Sequence, residues 1–532
     1  TAGCGAFIFG RDVHRSEAPQ AEAAEPLTWK RRGWWLLITF IPSSLMLGVT
    51  HFLTTDLASV PLLWVLPLGL YLLSFILVFA RLPRLDSFYR VVLPPATLLV
   101  LAATYTHSLG TPLLVAAHVT LFFLFAMYFH GRLADDRPHT AHLTEFYIWM
   151  SVGGALGGLF NGLVAPEVFD WSAEYYLVMA IGLTVIQPLR ADEERDSRWS
   201  VVGAAVTLVA LLALYFWSAD LLRFDGSGAV FGSFIVIATV VSIAVIFPQG
   251  QNVGLAVLLL VGSTMQESIT SSATYERSFF ASYTLYRDII DDHRVKIFSH
   301  GTTQHGLQSL EEENRGMPIG YYHPHGPVGD VFGVIPHQRV AIGGLGSGGM
   351  APYAREGKAF TFYEIDPVVE RIAREDFSYL ELCGDRCDVE IGDARKLLER
   401  AEPDSFDIIF MDAYNSDSVP THLLTRESVK LYLSRLDEEG VILFNVSNRF
   451  LNVEGVVGAL AEDLGLVAQT RSFLPSMSEE DPDLAYGVSY TVVAREEEDL
   501  HEIAEATTWQ PAKTAGVVWT DNFTNIVSVL EW

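Results

Sequence analysis

The sequence predicts a two-part chain: a multi-pass α-helical membrane domain followed by an α/β C-terminal domain with a parallel sheet. Half of the 532 residues are hydrophobic and only 18% are charged, and the apolar ones crowd into the first half. They form blocks close to the length that crosses a bilayer core. From about Ser268 the composition turns mixed and polar, with strand patterns alternating with helix patterns. That alternation requires a parallel sheet with right-handed crossovers and helices on both faces. The formal charge of -28 falls mostly in this second part, in runs such as "SLEEENRG", "MSEEDPD" and "AREEEDLHE". Such acidity repels phosphate backbones, so no nucleic-acid partner is expected. A solvated surface adapted to high salt accounts for it.

Residues 1–32 read as the end of a preceding helix and a basic linker, and 33–266 as the transmembrane domain, with the lipid bilayer as its partner. About nine apolar blocks are present, the first two being Trp34 to Leu53 and Leu57 to Ala80, the others centred near residues 98, 120, 155, 181, 209, 238 and 259. The cations Lys30, Arg31 and Arg32 before the first block, and Arg81, Arg84 and Arg90 after the second, place both flanks inside. The loops "HGRLADDRPHTAH" and "RADEERDSRW" then fall inside and "APEVFDWSAEY" outside. Nine crossings would leave the C-terminal half outside. The last block, "GLAVLLLVGSTM", is only 12 residues long and follows "FPQGQN", so it reads as re-entrant or interfacial. Eight crossings put the soluble domain in the cytoplasm, and that is the expectation. "SVGGALGGLFNGL" has the small-residue spacing of a helix-packing face. The polar His51, Thr54, Thr55, Asp56 and His118 lie mostly near predicted helix ends, and no transported substrate follows from them.

Residues 267–335 read as a small antiparallel β unit and linker, 336–500 as a nucleoside-binding α/β domain and 501–532 as a tail. The α/β series runs through strands "RVAIGGL", "AFTFYEID", "DVEIGD", "FDIIFMDAY" and "GVILFNVSN". Helices are expected from Gly349 and over "PVVERIAREDF", "ARKLLERA", "TRESVKLYLSRL" and "VEGVVGALAEDLG". In such a sheet the ligand lies outside the carboxyl ends of the strands. Gly344, Gly346 and Gly348 in "GLGSG" allow a tight turn and close approach by a ligand. Glu364 follows Gly344 by 20 residues, at the second strand end, where an acid accepts the ribose hydroxyl hydrogens. Asp393 ends the third strand and suits an adenine amino group, and Asp412 ends the fourth, at the reactive end of the nucleoside. Acids at three successive strand ends fit a single adenosine moiety better than a dinucleotide.

The cysteines Cys4, Cys383 and Cys387 form no disulfide framework by count, and the Cys383 to Cys387 spacing lacks a second ligand pair for zinc. His300, His305, His323, His325 and His337 read as loop histidines, so no metal is expected. "VVWTDNFTN" either folds back, bringing Asp521 toward the pocket, or stays a surface tail.

The C-terminal half resembles the spermidine synthase (polyamine aminopropyltransferase) family, on "RSFFASYTL", "HGTTQHGLQ", "YYHPHGPVGDVF", "GGLGSGGM", "YEIDP", "GDAR", "FDIIFMDAYNSDSVPTHLLT" and "WTDNFTN". With "PSSLMLGVTHFLTTDLASVPLLWVLPLGLYLLSF", the whole chain is similar to bacterial fused major-facilitator-like/spermidine-synthase-like membrane proteins. The resemblance implies a methyltransferase-like Rossmann fold with a small N-terminal β unit, in a bacterial cytoplasmic (inner) membrane. The implied cosubstrate is S-adenosylmethionine or its decarboxylated form, and the implied acceptor a polyamine-like amine. It implies that Gln304 and Tyr322 flank the substrates, Glu364 holds the ribose, Asp393 the adenine side, and Asp412 acts as base. His323, beside Tyr322, is a further substrate-pocket candidate. Homo-oligomerisation, common among soluble relatives, stays open.

Two departures bear on the reaction. The family's "GGGDGG" reads "GGLGSGG" here, so the aspartate that holds the aminopropyl amine is replaced around Gly346 and Ser347. The family's "DSSDP" reads "DAYNSDS", leaving its second acid as Asn415 or displaced to Asp417. The leading expectation is a membrane-anchored aminopropyl or related alkyl transferase. The alternatives are an S-adenosylmethionine-dependent methyltransferase and a non-catalytic transporter or sensor with a nucleoside-binding domain.

Overall fold

The structure is a computed structural model, and it describes residues 26–57, 62–80, 86–105, 110–186, 273–290, 292–301, 303–414, 420–475 and 484–531. The N-terminal part contains α1 (Trp29–Phe52), α2 (Val65–Phe79), α3 (Asp86–Tyr105), α4 (Thr111–Asp135), α5 (Leu143–Leu159), α6 (Ala165–Val168) and α7 (Ala173–Val185). A π turn at Leu53–Leu57 prolongs α1, and another at Phe160–Val164 joins α5 to α6. Three stretches, Trp29–Thr55, Thr111–Asp135 and Thr140–Val168, are long and apolar enough to cross a membrane. The blocks expected near residues 209, 238 and 259 lie outside the described residues.

Helix α1 is the axis of this bundle and buries Trp35, Ile38, Ile41, Leu45 and Val49. Its approach to α5 requires residues without side chains. A Cβ on Gly153 would collide with Thr39 Oγ1, and one on Gly157 would lie 2.9 Å from the Ser44 nitrogen. The small-residue run is thus a helix-packing face. At one end of the bundle Arg31 pairs with Asp136 at 3.0 Å, Arg32 with Glu145, and Arg132 lies 3.9 Å from Asp86. These contacts gather the start of α1, the start of α3, the end of α4 and the start of α5.

The opposite end carries a four-stranded antiparallel meander, β1 (Thr274–Arg277), β2 (Ser282–Ile290), β3 (His293–His300) and β4 (Thr303–Ser309), in sequential order. Arg277 donates to both carboxylate oxygens of Glu174, at 3.0 and 2.9 Å, and to the Trp171 carbonyl at 3.1 Å. The two side chains are only 4% and 1% exposed, so the pair is a buried joint. Gly301, at φ +56, rests against the Thr55 carbonyl so closely that a Cβ would collide with it.

The α/β domain follows. Its helices are α8 (Pro327–Val334), α9 (Pro367–Glu375), α10 (Tyr379–Cys383), α11 (Ala394–Leu398), α12 (Arg426–Leu433) and α13 (Val453–Leu464). Its strands are β5 (Arg339–Gly343), β6 (Ala359–Glu364), β7 (Cys387–Ile391), β8 (Phe406–Met411), β9 (Leu436–Asn445), β10 (Val467–Phe473), β11 (Val488–Ala494) and β12 (Gln510–Pro511). They lie in the order β12-β10-β11-β9-β8-β5-β6-β7. The run β9-β8-β5-β6-β7 is parallel, and β11, β10 and β12 add to it antiparallel. The order reverses beside β5, which opens a crevice at its carboxyl end. Parallel strands with β5 central and an antiparallel extension beside β9 make this the methyltransferase-like Rossmann arrangement.

Three features depart from expectation. The helix expected from Gly349 is a single 3-10 turn, Ala351–Tyr353, because left-handed glycines at 344, 346 and 348 precede it and Pro352 lies inside it. Residues 501–531 are no detached tail: Ile503, Trp509, Trp519 and Val529 are buried, and β12 extends the sheet. Cys383 and Cys387 form a disulfide, because the end of α10 turns back at Gly384, at φ +60, and brings their Cα atoms to 5.8 Å.

Candidate functional site

A cavity of about 450 Å³ lies at the carboxyl ends of the parallel strands, walled on its other side by the β unit. Backbone bonds align the strand ends around it: Gly344 N donates to the Tyr363 carbonyl, Gly392 N to that of Glu364 and Asp412 N to that of Gly343. Gly344 and Gly346 line the cavity at φ +104 and +55. A Cβ on Gly346 would strike the His305 carbonyl, and one on Gly344 that of Asp412. The loop is wedged between β4 and the end of β8, so glycine is required on both steric and conformational grounds. Gly348, at φ +81, turns away and packs on Tyr379 and Leu380 instead of joining the wall.

Glu364 is the last residue of β6. One of its oxygens accepts from Leu345 N at 3.0 Å and the other from Asp366 N at 2.9 Å. Burial raises its carboxyl to about 7, against the opposing pull of these N–H groups. The neighbouring Asp366 accepts hydrogen bonds from the hydroxyls of Ser278 and Tyr283, which ties the β unit to the rim of the site.

Asp393 follows β7 and caps α11, its Oδ1 accepting from Lys396 N at 3.0 Å while Oδ2 faces His422 Nε2 at 3.0 Å. Asp521 does fold back, but as a buttress. It pairs with both terminal nitrogens of Arg395 at 2.7 Å, and Arg395 in turn donates to the His422 carbonyl at 2.9 Å.

Asp412, immediately after β8, is held from two sides. Tyr322 Oη donates to its Oδ2 and Asn445 Nδ2 to its Oδ1, each at 2.8 Å. Burial pushes this carboxyl above the ordinary aspartate range, with the bonds from Asn445 and Tyr322 opposing the shift. Burial and the Asp412 charge push the Tyr322 phenol far up, so it remains a proton donor. Asn445 ends β9, and its carbonyl accepts from Tyr414 Oη at 2.6 Å.

Gln304, on β4, completes the wall. His323 does not line the cavity: it is buried, its Nδ1 accepts from His325 N, and its ring stacks on His325 at 5.1 Å. The following turn, in which Gly326 N donates to the His323 carbonyl, directs it away from the pocket. Asn415 and Asp417 lie outside the described residues.

Several lining residues escape the sequence reading. Asn445 stands at the end of the fifth strand, which carries no acid there to mark it. His422 comes from the 3-10 turn Thr421–Leu423 and Arg449 from the loop after β9, and neither is singled out by a chemical motif. His300 and His305 line the β-unit side with rings stacked at 5.8 Å. Burial lowers them to about 3 and about 4, so both are neutral near pH 7. His300 Nδ1 and His305 Nε2 have no hydrogen-bond partner among the described residues. The described wall therefore sets three carboxylates, Glu364, Asp393 and Asp412, against one guanidinium, Arg449. Such a cavity favours a cation, and its volume suits a small-molecule ligand.

No family model matches the chain. A polyamine aminopropyltransferase from Vibrio vulnificus is 34% identical over 113 residues, a stretch that makes up 20% of this chain and 37% of that protein. The chain thus spans little more than a third of this curated relative's length. Among solved structures, spermidine synthase from Thermotoga maritima is matched at 15% identity, over 45% of this chain and 79% of that one, with a TM-score of 0.31. A SAM-dependent methyltransferase from Archaeoglobus fulgidus is matched at 15% identity, over 30% of this chain and 86% of that one, with a TM-score of 0.23. By its sequence relationship, the chain carries a spermidine-synthase-like domain behind a set of long apolar helices.

Proposed function

We propose that the protein is a membrane-anchored transferase that binds a sulfonium adenosine cosubstrate and transfers an aminopropyl or related alkyl group to an amine. The observation that carries this is Asp412, a half-buried carboxylate held by Tyr322 and Asn445 in an electronegative cavity. Gly344 and Gly346 let the nucleoside approach the backbone, Glu364 takes the ribose hydroxyls, and Asp393 with His422 borders the adenine side. Gln304 and Tyr322 orient the two substrates from the β-unit side.

An alkyl ammonium has an intrinsic pKa near that of lysine and cannot attack until it loses a proton. Asp412 binds the ammonium form, accepts that proton and aligns the lone pair. The amine nitrogen then bonds to the carbon beside sulfur, the carbon–sulfur bond breaks with its electron pair going to sulfur, and the neutral thioether nucleoside departs. The proton held by Asp412 then passes to solvent, and the new secondary ammonium group, with a pKa like that of lysine, keeps its charge. The raised basicity of Asp412 favours the first transfer.

A second reading, methyl transfer from intact S-adenosylmethionine, is favoured by two features. The glycine loop has Gly346 and Ser347 where the family holds an aspartate, and Arg449 in the cavity wall offers a partner for a donor carboxylate. Calorimetric titration with S-adenosylmethionine, its decarboxylated form and methylthioadenosine, followed by incubation with putrescine, separates the readings. Tight binding of the decarboxylated donor with spermidine formed supports aminopropyl transfer. Preference for the intact donor without spermidine sinks it, and binding without any turnover leaves a sensor.

A further inference from the structure

The geometry points to a transferase domain held on the membrane face opposite the cytoplasm. This rests on the reading of the N-terminal helices as membrane-spanning, and it replaces the cytoplasmic placement expected from the weak last apolar block. The bundle has two chemically distinct ends. Among the described residues up to 186, every lysine and arginine, namely Lys30, Arg31, Arg32, Arg90, Arg132 and Arg137, belongs to the end where α1, α3 and α5 begin and α4 finishes. Ion pairs of Arg31 with Asp136 and Arg32 with Glu145 bind that end together. The described residues outside the α-helices at the other end, 53–57, 62–64, 110 and 169–172, include no lysine or arginine. The positive-inside rule assigns the basic end to the cytoplasm.

The soluble domain sits on the other end. Arg277 of β1 makes its buried pair with Glu174 at the start of α7, and Gly301 rests on the Thr55 carbonyl just past α1. Helix α1 has 24 residues, a rise of about 36 Å, against a hydrocarbon core of about 30 Å. Its two ends therefore cannot share a membrane face. Two further observations agree. By sequence, the nine apolar blocks, all read as crossings from a cytoplasmic start, would also end outside. The domain also carries the Cys383–Cys387 disulfide, a bond that persists in oxidising compartments and is rare in the cytosol.

This placement defines the substrate pool. His300, in the cavity wall, immediately precedes the Gly301 contact, so the cavity lies beside the junction with the bundle. Its acceptor is an amine presented outside the cytoplasm, free or attached to a surface component.

Cysteine labelling of the full chain tests this. In a background of Cys4→Ser, Cys383→Ser and Cys387→Ser, single cysteines replace Lys513, whose side chain is 81% exposed, or Arg137 at the basic end. A membrane-impermeant maleimide added to intact cells is expected to label position 513 at least tenfold more than position 137, with the two equalising after permeabilisation. Labelling of 137 alone, or of neither until permeabilisation, overturns the placement. In case the triple background does not fold, a protease added outside spheroplasts bearing the unsubstituted chain must remove the soluble domain. Resistance there overturns the placement equally. Release of the protein from membranes by alkaline carbonate would instead defeat the membrane-spanning reading, a distinguishable failure.

Discussion

Tyr322 and Asp412 are 90 positions apart in sequence, yet the phenol of one donates to the carboxylate of the other at 2.8 Å across the seam between β unit and sheet. This bond joins the two halves of the site, and with Asn445 it occupies both oxygens of the proposed base.

Asp412→Asn keeps the shape of the cavity and removes its base. Its turnover number should fall between about 10²- and 10⁴-fold, the range for general-base catalysis. Donor affinity measured by calorimetry should change less than about threefold, corresponding to roughly 0.7 kcal/mol. Unaltered turnover would remove Asp412 from the mechanism.

Tyr322→Phe tests the same bond through pH. A base works only when deprotonated, so activity falls as pH drops through its pKa. The Tyr322 hydroxyl stabilises the charged form of Asp412 and lowers that pKa. Removing it should move the acid limb of the kcat profile to higher pH, and an unmoved limb would show that the phenol does not tune the base.

Glu364 makes donor binding pH-dependent in the empty site. Its folded-state carboxyl lies at about 7, above the ordinary glutamate value, so it is protonated below that point and ionised above it. Ribose hydroxyls donate to the ionised form, so the dissociation constant should fall as pH rises from 6 to 8 and then level. Glu364→Gln should weaken binding by about 1 to 3 kcal/mol at pH 8 and flatten the profile. The same shift has a stability sign. Between the unfolded value of 4.5 and about 7 the folded state binds more protons, so the free protein loses stability as pH rises through that window.

The joint between bundle and β unit should be sensitive to half-removal. Glu174→Gln leaves the Arg277 guanidinium buried without its counter-charge and should destabilise the protein by about 3 to 5 kcal/mol. The double variant Glu174→Gln with Arg277→Met should recover much of that loss. Thermal unfolding in detergent, read for both single variants and the double, decides this; losses that add would mean that the pair is not coupled.

The parts of the fold that could be read from sequence are those with a local period. Strands β5 to β9 and the helices between them follow from alternating patterns, and the β unit from short runs separated by turns. The strand-end acids Glu364, Asp393 and Asp412 could be located because parallel topology fixes where each strand must finish. The antiparallel strands β10, β11 and β12 could not, because their place depends on pairing with β9 rather than on any motif. Glycines gave a correct turn at Gly344 and a wrong helix after Gly349, since the features that free the backbone also deny a helix its entropy advantage. His323 looked like a pocket residue by its neighbour, but adjacent side chains need not point the same way. The proposed side of the membrane differs from the expected one because the expectation turned on one short apolar block, whereas the contact between Gly301 and Thr55 depends on the tertiary structure.

Asp521 braces Arg395 from 126 residues downstream, and Arg395 holds the loop of His422 against Asp393. The proposed adenine corner therefore has no brace until Asp521 has been synthesised. During synthesis the β unit, the glycine turn and the proposed base all emerge before this support. A partly synthesised chain, or one shortened before Asp521, would have most of its chemistry in place and a slack grip on the nucleoside. The arrangement makes the grip of the proposed nucleoside site depend on a segment that follows every strand of the parallel sheet.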